Sequence, residues 1–167
     1  VNPQFKSHDI RPNGFTLVEV IVVVLLLAIL AVYAASKFIG VGAFSGFAAQ
    51  DQSINVIRQI QLGRMQSNIE DINDPSCTVC KHYQLSVTNQ CLGSVAACTA
   101  SGEQFSDKVL LDNTELSFSP SIQVNFDLLG NPICTGSCTA PITIDITNQF
   151  GDKYPVCINS QGYVYDC

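Results

Sequence analysis

Histidine is scarce in this chain: His8 and His82 are the only two among 167 residues. Zinc chemistry of the Cys/His type and imidazole-based proton transfer therefore have little to work with. No glycine-rich phosphate loop, H-E-x-x-H or G-x-S-x-G pattern occurs either. Basic residues thin out along the chain. From Lys81 onward there are three lysines (Lys81, Lys108 and Lys153) and no arginine. They face eight acids, Glu103, Asp107, Asp112, Glu115, Asp127, Asp145, Asp152 and Asp166, within a net charge of −6. Phosphate backbones are bound by Lys and Arg displacing counterions, so nucleic acid is not an expected partner. Acids such as Asp127 and Asp145 read as solvated strand-end residues rather than an acid–base pair. An enzyme is not expected, nor is any cofactor or metal.

Two further absences organise the chain. No charged or strongly polar side chain occurs between Val20 and Ala35, and no cysteine precedes Cys77. What is present fits around these gaps. Residues 1–14 are polar and carry Lys6 and Arg11, and Gly14 then introduces FTLVEVIVVVLLLAILAVYAASKF. Phe15 to Ala35 is about 21 residues, enough for a helix to cross a bilayer core of roughly 30 Å. The preceding positive charges predict a cytoplasmic N-terminus. All eight cysteines, at 77, 80, 91, 98, 134, 138, 157 and 167, lie in the polar remainder, which points to export into an oxidising compartment. Val1 at the first position fits a GTG initiation codon or a sequence whose start lies upstream.

Three readings of the apolar run compete. A secretory signal has an apolar run of about 7–15 residues before a small-x-small cut, and this run is longer. A plain anchor has no use for Glu19, whose carboxylate costs a few kcal/mol in a spanning helix unless it is paired or snorkels to the interface. A prepilin leader supplies the partner. A cut before Phe15 creates an α-amino group four residues upstream of Glu19, and a neighbouring subunit's Glu19 can pair with it and set the stagger of packed helices.

G-F-T-L-V-E resembles the class III signal of type IV pilins and pseudopilins. The resemblance implies that Gly14 precedes the cut by prepilin peptidase, that Phe15 becomes the N-methylated mature N-terminus, and that Glu19 serves subunit assembly. It continues through ILAVYAASKFI, which is similar to the helices of the MSHA (mannose-sensitive haemagglutinin) pilin group. Family members often carry Gly where this chain has Ala28 and Pro where it has Ser36. Both family residues weaken helices, so this helix is expected to stay continuous and to suit a special position such as the filament tip. The implied partners are major and minor pilins, prepilin peptidase and the inner-membrane assembly platform. The implied location is the inner membrane, then a pilus or pseudopilus.

The expected division is a leader at 1–14, a transmembrane and assembly helix at 15–37, an amphipathic helical half at 38–75, and a β-rich head at 76–167. Gly40, Gly42 and Gly46 weaken the helical signal locally. Beyond them Phe47, Ile54, Ile57, Met65, Ile69 and Ile72 recur on one helical face, until Asp74-Pro75 ends the run. Strands are expected at 82–88, 108–111, 115–118, 122–127, 142–147, 155–159 and 163–165, with turns at Gly130-Asn131-Pro132 and Asn159–Gly162. A long helix packed on a mainly antiparallel sheet or sandwich makes the fold α+β. NFDLLGNP, ITIDIT and PVCINSQGYV further resemble the C-terminal half of GspH/FimT-type pseudopilins and the C subunit of MSHA pili.

Cys77-Thr-Val-Cys80-Lys-His82 is not a haem attachment site, because Lys81 displaces the histidine that C-x-x-C-H requires. Zinc would want a second close pair, and a thioredoxin-like site would want a βαβ context. Structural disulfides fit better. The simplest scheme joins Cys77 to Cys80, Cys91 to Cys98, Cys134 to Cys138 and Cys157 to Cys167. Eight cysteines leave many other connectivities open.

Overall fold

The first part of the chain contains no proline after Pro12 until Pro75, and in the computed structural model it builds one helix, α1, from Leu17 to Met65, 49 residues long. The structure describes residues 15–100, 105–111, 115–133 and 140–167, and of these the side chains at 35–43 are not described. The chain divides into two compact units, Val1–Ile39 and Gly40–Cys167. In the first unit, Leu17–Ala34 is long and apolar enough to cross a membrane, with a mean hydropathy of 3.0 and no residue buried.

α1 runs through Gly40, Gly42 and Gly46 without a break. At Gly46 the reason is contact: an added Cβ would overlap the Tyr154 ring, so a residue without a side chain lets helix and strand approach closely. The buried face of the second unit's helical segment includes Ala49, Gln50, Ser53, Ile57, Ile60, Gln61 and Arg64, spaced at three and four. Polar side chains along this segment, among them the exposed Arg58, reach strand and turn carbonyls. Gln50 Nε2 donates to Pro155 O (2.7 Å), and Arg58 Nη2 to Val164 O (2.7 Å). Gln61 Nε2 donates to both Gly162 O (2.8 Å) and Gly130 O (3.0 Å), and Arg64 Nε to Phe126 O (3.1 Å).

Two sequence expectations for this helix need correction. It ends at Met65, short of Asp74-Pro75, because Arg64 turns the chain back: its Nη1 donates to Ile69 O (2.7 Å) and Ser67 Oγ (2.8 Å), while Ser67 Oγ donates to Arg64 O. Ile69 and the buried Ile72 thus lie beyond the helix. Phe47 and Met65 are also largely exposed, 59% and 46%. Phe47 sets its ring edge-on to Tyr154 at 4.9 Å rather than entering the core.

Downstream come a 3-10 turn at Val79–His82, then β1 (Leu85–Val87), β2 (Cys91–Ser94), a short helix α2 (Val95–Thr99), β3 (Lys108–Leu110), β4 (Leu116–Ser119) and β5 (Ile122–Phe126). β6 (Pro132–Ile133), β7 (Ile142–Asn148), β8 (Lys153–Ile158) and β9 (Val164–Asp166) complete the order. The strands form two antiparallel sheets, ordered β3-β2-β1-β5-β6 and β4-β7-β8-β9. β7 alternates as its sequence predicts, with Ile142, Ile144 and Ile146 buried, and Ile144 faces Val156 across the ladder. His82 belongs to the 3-10 turn, not to the first strand. The α+β class stands, and α1 and both sheets feed one core that includes Ile57, Leu85, Leu92, Phe118, Phe126, Ile144 and Ile158.

β2 and α2 have no counterpart in the sequence expectations. All four β2 residues are buried, which removes the alternation that marks a half-exposed strand. α2 starts on a Ser94 cap, whose Oγ accepts from Ala97 N–H at 3.0 Å.

Candidate functional site

The N-terminal end of α1 carries the residues that the sequence marks for processing and assembly. Gly14 lies outside the described residues. Phe15 is 81% exposed, and neither it nor Thr16 is helical. Thr16 then closes the helix end. Its carbonyl accepts from Val20 N–H (3.2 Å) and its Oγ1 accepts from Glu19 N–H (3.2 Å). Thr16 is therefore the N-cap and Glu19 the third helical residue, the T-x-x-E pattern of a capping box. The sequence reading missed this role of Thr16, although the four-residue pattern was visible in it. Glu19 gains a local purpose: a carboxylate in the first turn of a helix is favoured by unsatisfied N–H groups and the macrodipole. It is also the only charged residue between Leu17 and Ala34. The α1 backbone is helical at Ala28 and Ser36.

In the head, the structure joins Cys77 to Cys80, Cys91 to Cys98 and Cys157 to Cys167, with Cα separations of 5.4, 5.9 and 5.9 Å. Cys134 and Cys138 lie outside the described residues. Among the described residues no cysteine is free, and no group of three or more His, Cys, Asp or Glu is placed to hold a metal. His82 is exposed on the 3-10 turn.

Asp127 and Asp145 are engaged separately. Asp127 organises the β5–β6 turn, where its Oδ1 accepts from the backbone N–H of Leu129 and of Asn131 (2.8 Å each) and its Oδ2 from Asn131 Nδ2 (2.8 Å). Burial pushes its pKa upward, but these hydrogen bonds together outweigh burial and hold the carboxyl below its ordinary value. Asp145 pairs with Lys153 across the β7–β8 ladder at 2.7 Å on the surface. Asp74 also lies below the usual carboxylate value, because the Ser76 hydroxyl and backbone N–H both donate to it.

A cavity of about 440 Å³ lies beside the end of α1, where Arg64, Glu70, Asp71 and Asp127 meet Leu128, Leu129 and Ile133. Arg64 is 3% exposed and spends its donors on Phe126 O, Ile69 O and Ser67 Oγ. Nothing in this arrangement brings a nucleophile to a base.

Residues 11–35 match the family model of the prokaryotic N-terminal methylation motif. No curated protein and no solved structure matches the chain. The motif match supports a type IV pilin-like protein, and together with the apolar helix it supports membrane anchoring before assembly.

Proposed function

We propose that this chain is a minor type IV pilin of an MSHA-like pilus, cut by prepilin peptidase between Gly14 and Phe15, N-methylated at Phe15, and built into the filament through α1. The observation that carries the reading is the methylation motif over residues 11–35, ending on a capped apolar helix whose single charge is Glu19. Before assembly the helix is a single-pass anchor in the inner membrane with its N-terminus cytoplasmic. After the cut, the new amine of one subunit pairs with Glu19 of another, which turns a charge that is unfavourable in a spanning helix into an assembly contact. Continuity through Ala28 and Ser36 supports a special position such as the tip, where the head would prime or cap a filament used for attachment. Its role is structural, not enzymatic.

Co-expression of the full chain with a prepilin peptidase, followed by intact mass measurement, tests the processing step. The expected product begins at Phe15 and carries one added methyl group. Deleting the gene and scoring surface pili, secreted enzymes and DNA uptake separately tests the system. Normal piliation with lost secretion would instead assign the chain to a type II secretion pseudopilus. Glu19→Gln retains a side chain suited to the capping box, so it should leave processing intact while impairing incorporation. Unchanged incorporation would remove the charge from the mechanism.

A further inference from the structure

Hydrolysis of a peptide bond adds water across it, here leaving a Gly14 carboxylate and a Phe15 amine. A bond inside a helix is poorly placed for this, because its carbonyl is hydrogen-bonded and flanked by side chains, and the segment must open before a protease can reach it. α1 could obstruct its own processing in this way, since an apolar helix in a membrane gains from every further backbone hydrogen bond. The described structure stops the helix just after the cut. Leu17 is the first helical residue, and Phe15 and Thr16 are outside it. The stop is a specific hydrogen bond, from Glu19 N–H to Thr16 Oγ1 at 3.2 Å. In the sequence upstream, the next side chain of capping type is Asn13. A helix begun on Asn13 would take in Gly14 and Phe15 and enclose the bond. Gly14, among the weakest helix formers, opposes that extension, as does the Thr16 cap.

We infer that Thr16 is a positioning residue for processing: its hydroxyl fixes the start of α1 at Leu17, two residues beyond Phe15, and so keeps the Gly14–Phe15 bond out of that helix. The inference rests on the processing reading above. It assigns Thr16 a function through backbone conformation, without contact between its side chain and the reacting atoms.

The test is steady-state cleavage of the uncut full chain, in detergent, by a prepilin peptidase. Thr16→Val is isosteric and cannot cap, Thr16→Ala cannot cap, and Thr16→Ser and Thr16→Asn cap with different shapes. Loss of the cap lowers the fraction of competent substrate, so KM rises while kcat is retained. A cap worth about 1 kcal/mol bounds the fall in kcat/KM at about fivefold, and the expected fall for Val and Ala is about 1.5-fold to twofold, with Ser and Asn indistinguishable from the unaltered chain. Hydrogen exchange on the same uncut proteins reads the helix start directly, and the Thr16→Val chain should gain protection at Leu17 and Val18, whose N–H groups would find the Asn13 and Gly14 carbonyls in a helix begun on Asn13. If Val is cut like Thr, or Ser and Asn are as slow as Ala, the peptidase reads side-chain shape and the inference is overturned. If the unaltered chain is not cut at Phe15, the processing reading fails first, and that outcome is distinct from the others.

Discussion

Replacing Gly46 with alanine separates two physical effects that act in opposite directions. Helix propensity alone favours Ala over Gly by about 1 kcal/mol, so an exposed site would be stabilised. Gly46 is buried, and an added Cβ would overlap Cδ2, Cε2 and Cζ of Tyr154. That ring is 7% exposed on β8 and meets Phe47 edge-on, so it has little room to yield. Overpacking of this kind costs typically about 1–3 kcal/mol, and strain over a whole ring edge belongs near the upper end. The net expectation is a loss of about 1–2 kcal/mol, or roughly 3–8 °C in Tm for a unit of this size. Thermal unfolding of the disulfide-intact protein followed by near-UV circular dichroism measures it. Tyr154→Leu in the same chain should shrink the loss, giving a favourable coupling between the two changes. A Tm raised by Gly46→Ala alone would refute the claim that close approach of helix and strand is what this glycine serves.

Gln61→Leu should cost about 2–3 kcal/mol in denaturant unfolding, because the carbonyls of Gly130 and Gly162 both lose their donor. Joint replacement of Cys157 and Cys167 by alanine should cost about 3 kcal/mol, against about 2 for Cys77 with Cys80, since the sequence separations are 10 and 3. Unfolding midpoints compared across the two double variants would check that order. Asp127 has a depressed folded pKa, so its contribution is present above the ordinary carboxylate value of 3.8 and is lost as pH falls through the folded value. The urea midpoint of Asp127→Asn should therefore lie below that of the unaltered chain at pH 7, and the two should converge as the solution is acidified below pH 3.8.

The apolar helix, the alternating β7 and the turns at Gly130 and Gly162 were legible because each depends on residues adjacent in sequence. The end of α1 was not, because a single side chain, Arg64, sets it by gathering Ile69 O and Ser67 Oγ. Nor was the buried helical face, where Gln50, Ser53, Gln61 and Arg64 sit at positions that a count of apolar residues discards. The burial of Gln50, Gln61 and Arg64 makes sense only once the strand and turn carbonyls facing them are known, while Ser53 bonds back to Ala49 O within the helix. β2 was hidden because all four of its residues are buried, so no alternation marks it as a strand. At the N-terminal end of α1 the position was reversed. The T-x-x-E pattern at Thr16 and Glu19 is local and fully legible, and it accounts for the cap on the first turn of α1.

The bonds from Gln50, Arg58, Gln61 and Arg64 have a mechanical side. They lie along one stretch of helix, so a pull applied along that axis loads them together in shear instead of opening them one at a time. Two of the acceptors, Gly162 and Val164, fall inside the loop that Cys157 and Cys167 close. If tension strips β9 from β8, the covalent link halts the peeling within that loop. The helix then remains tethered to a strand that cannot run free, and the ruptured contacts stay close enough to re-form when the load falls.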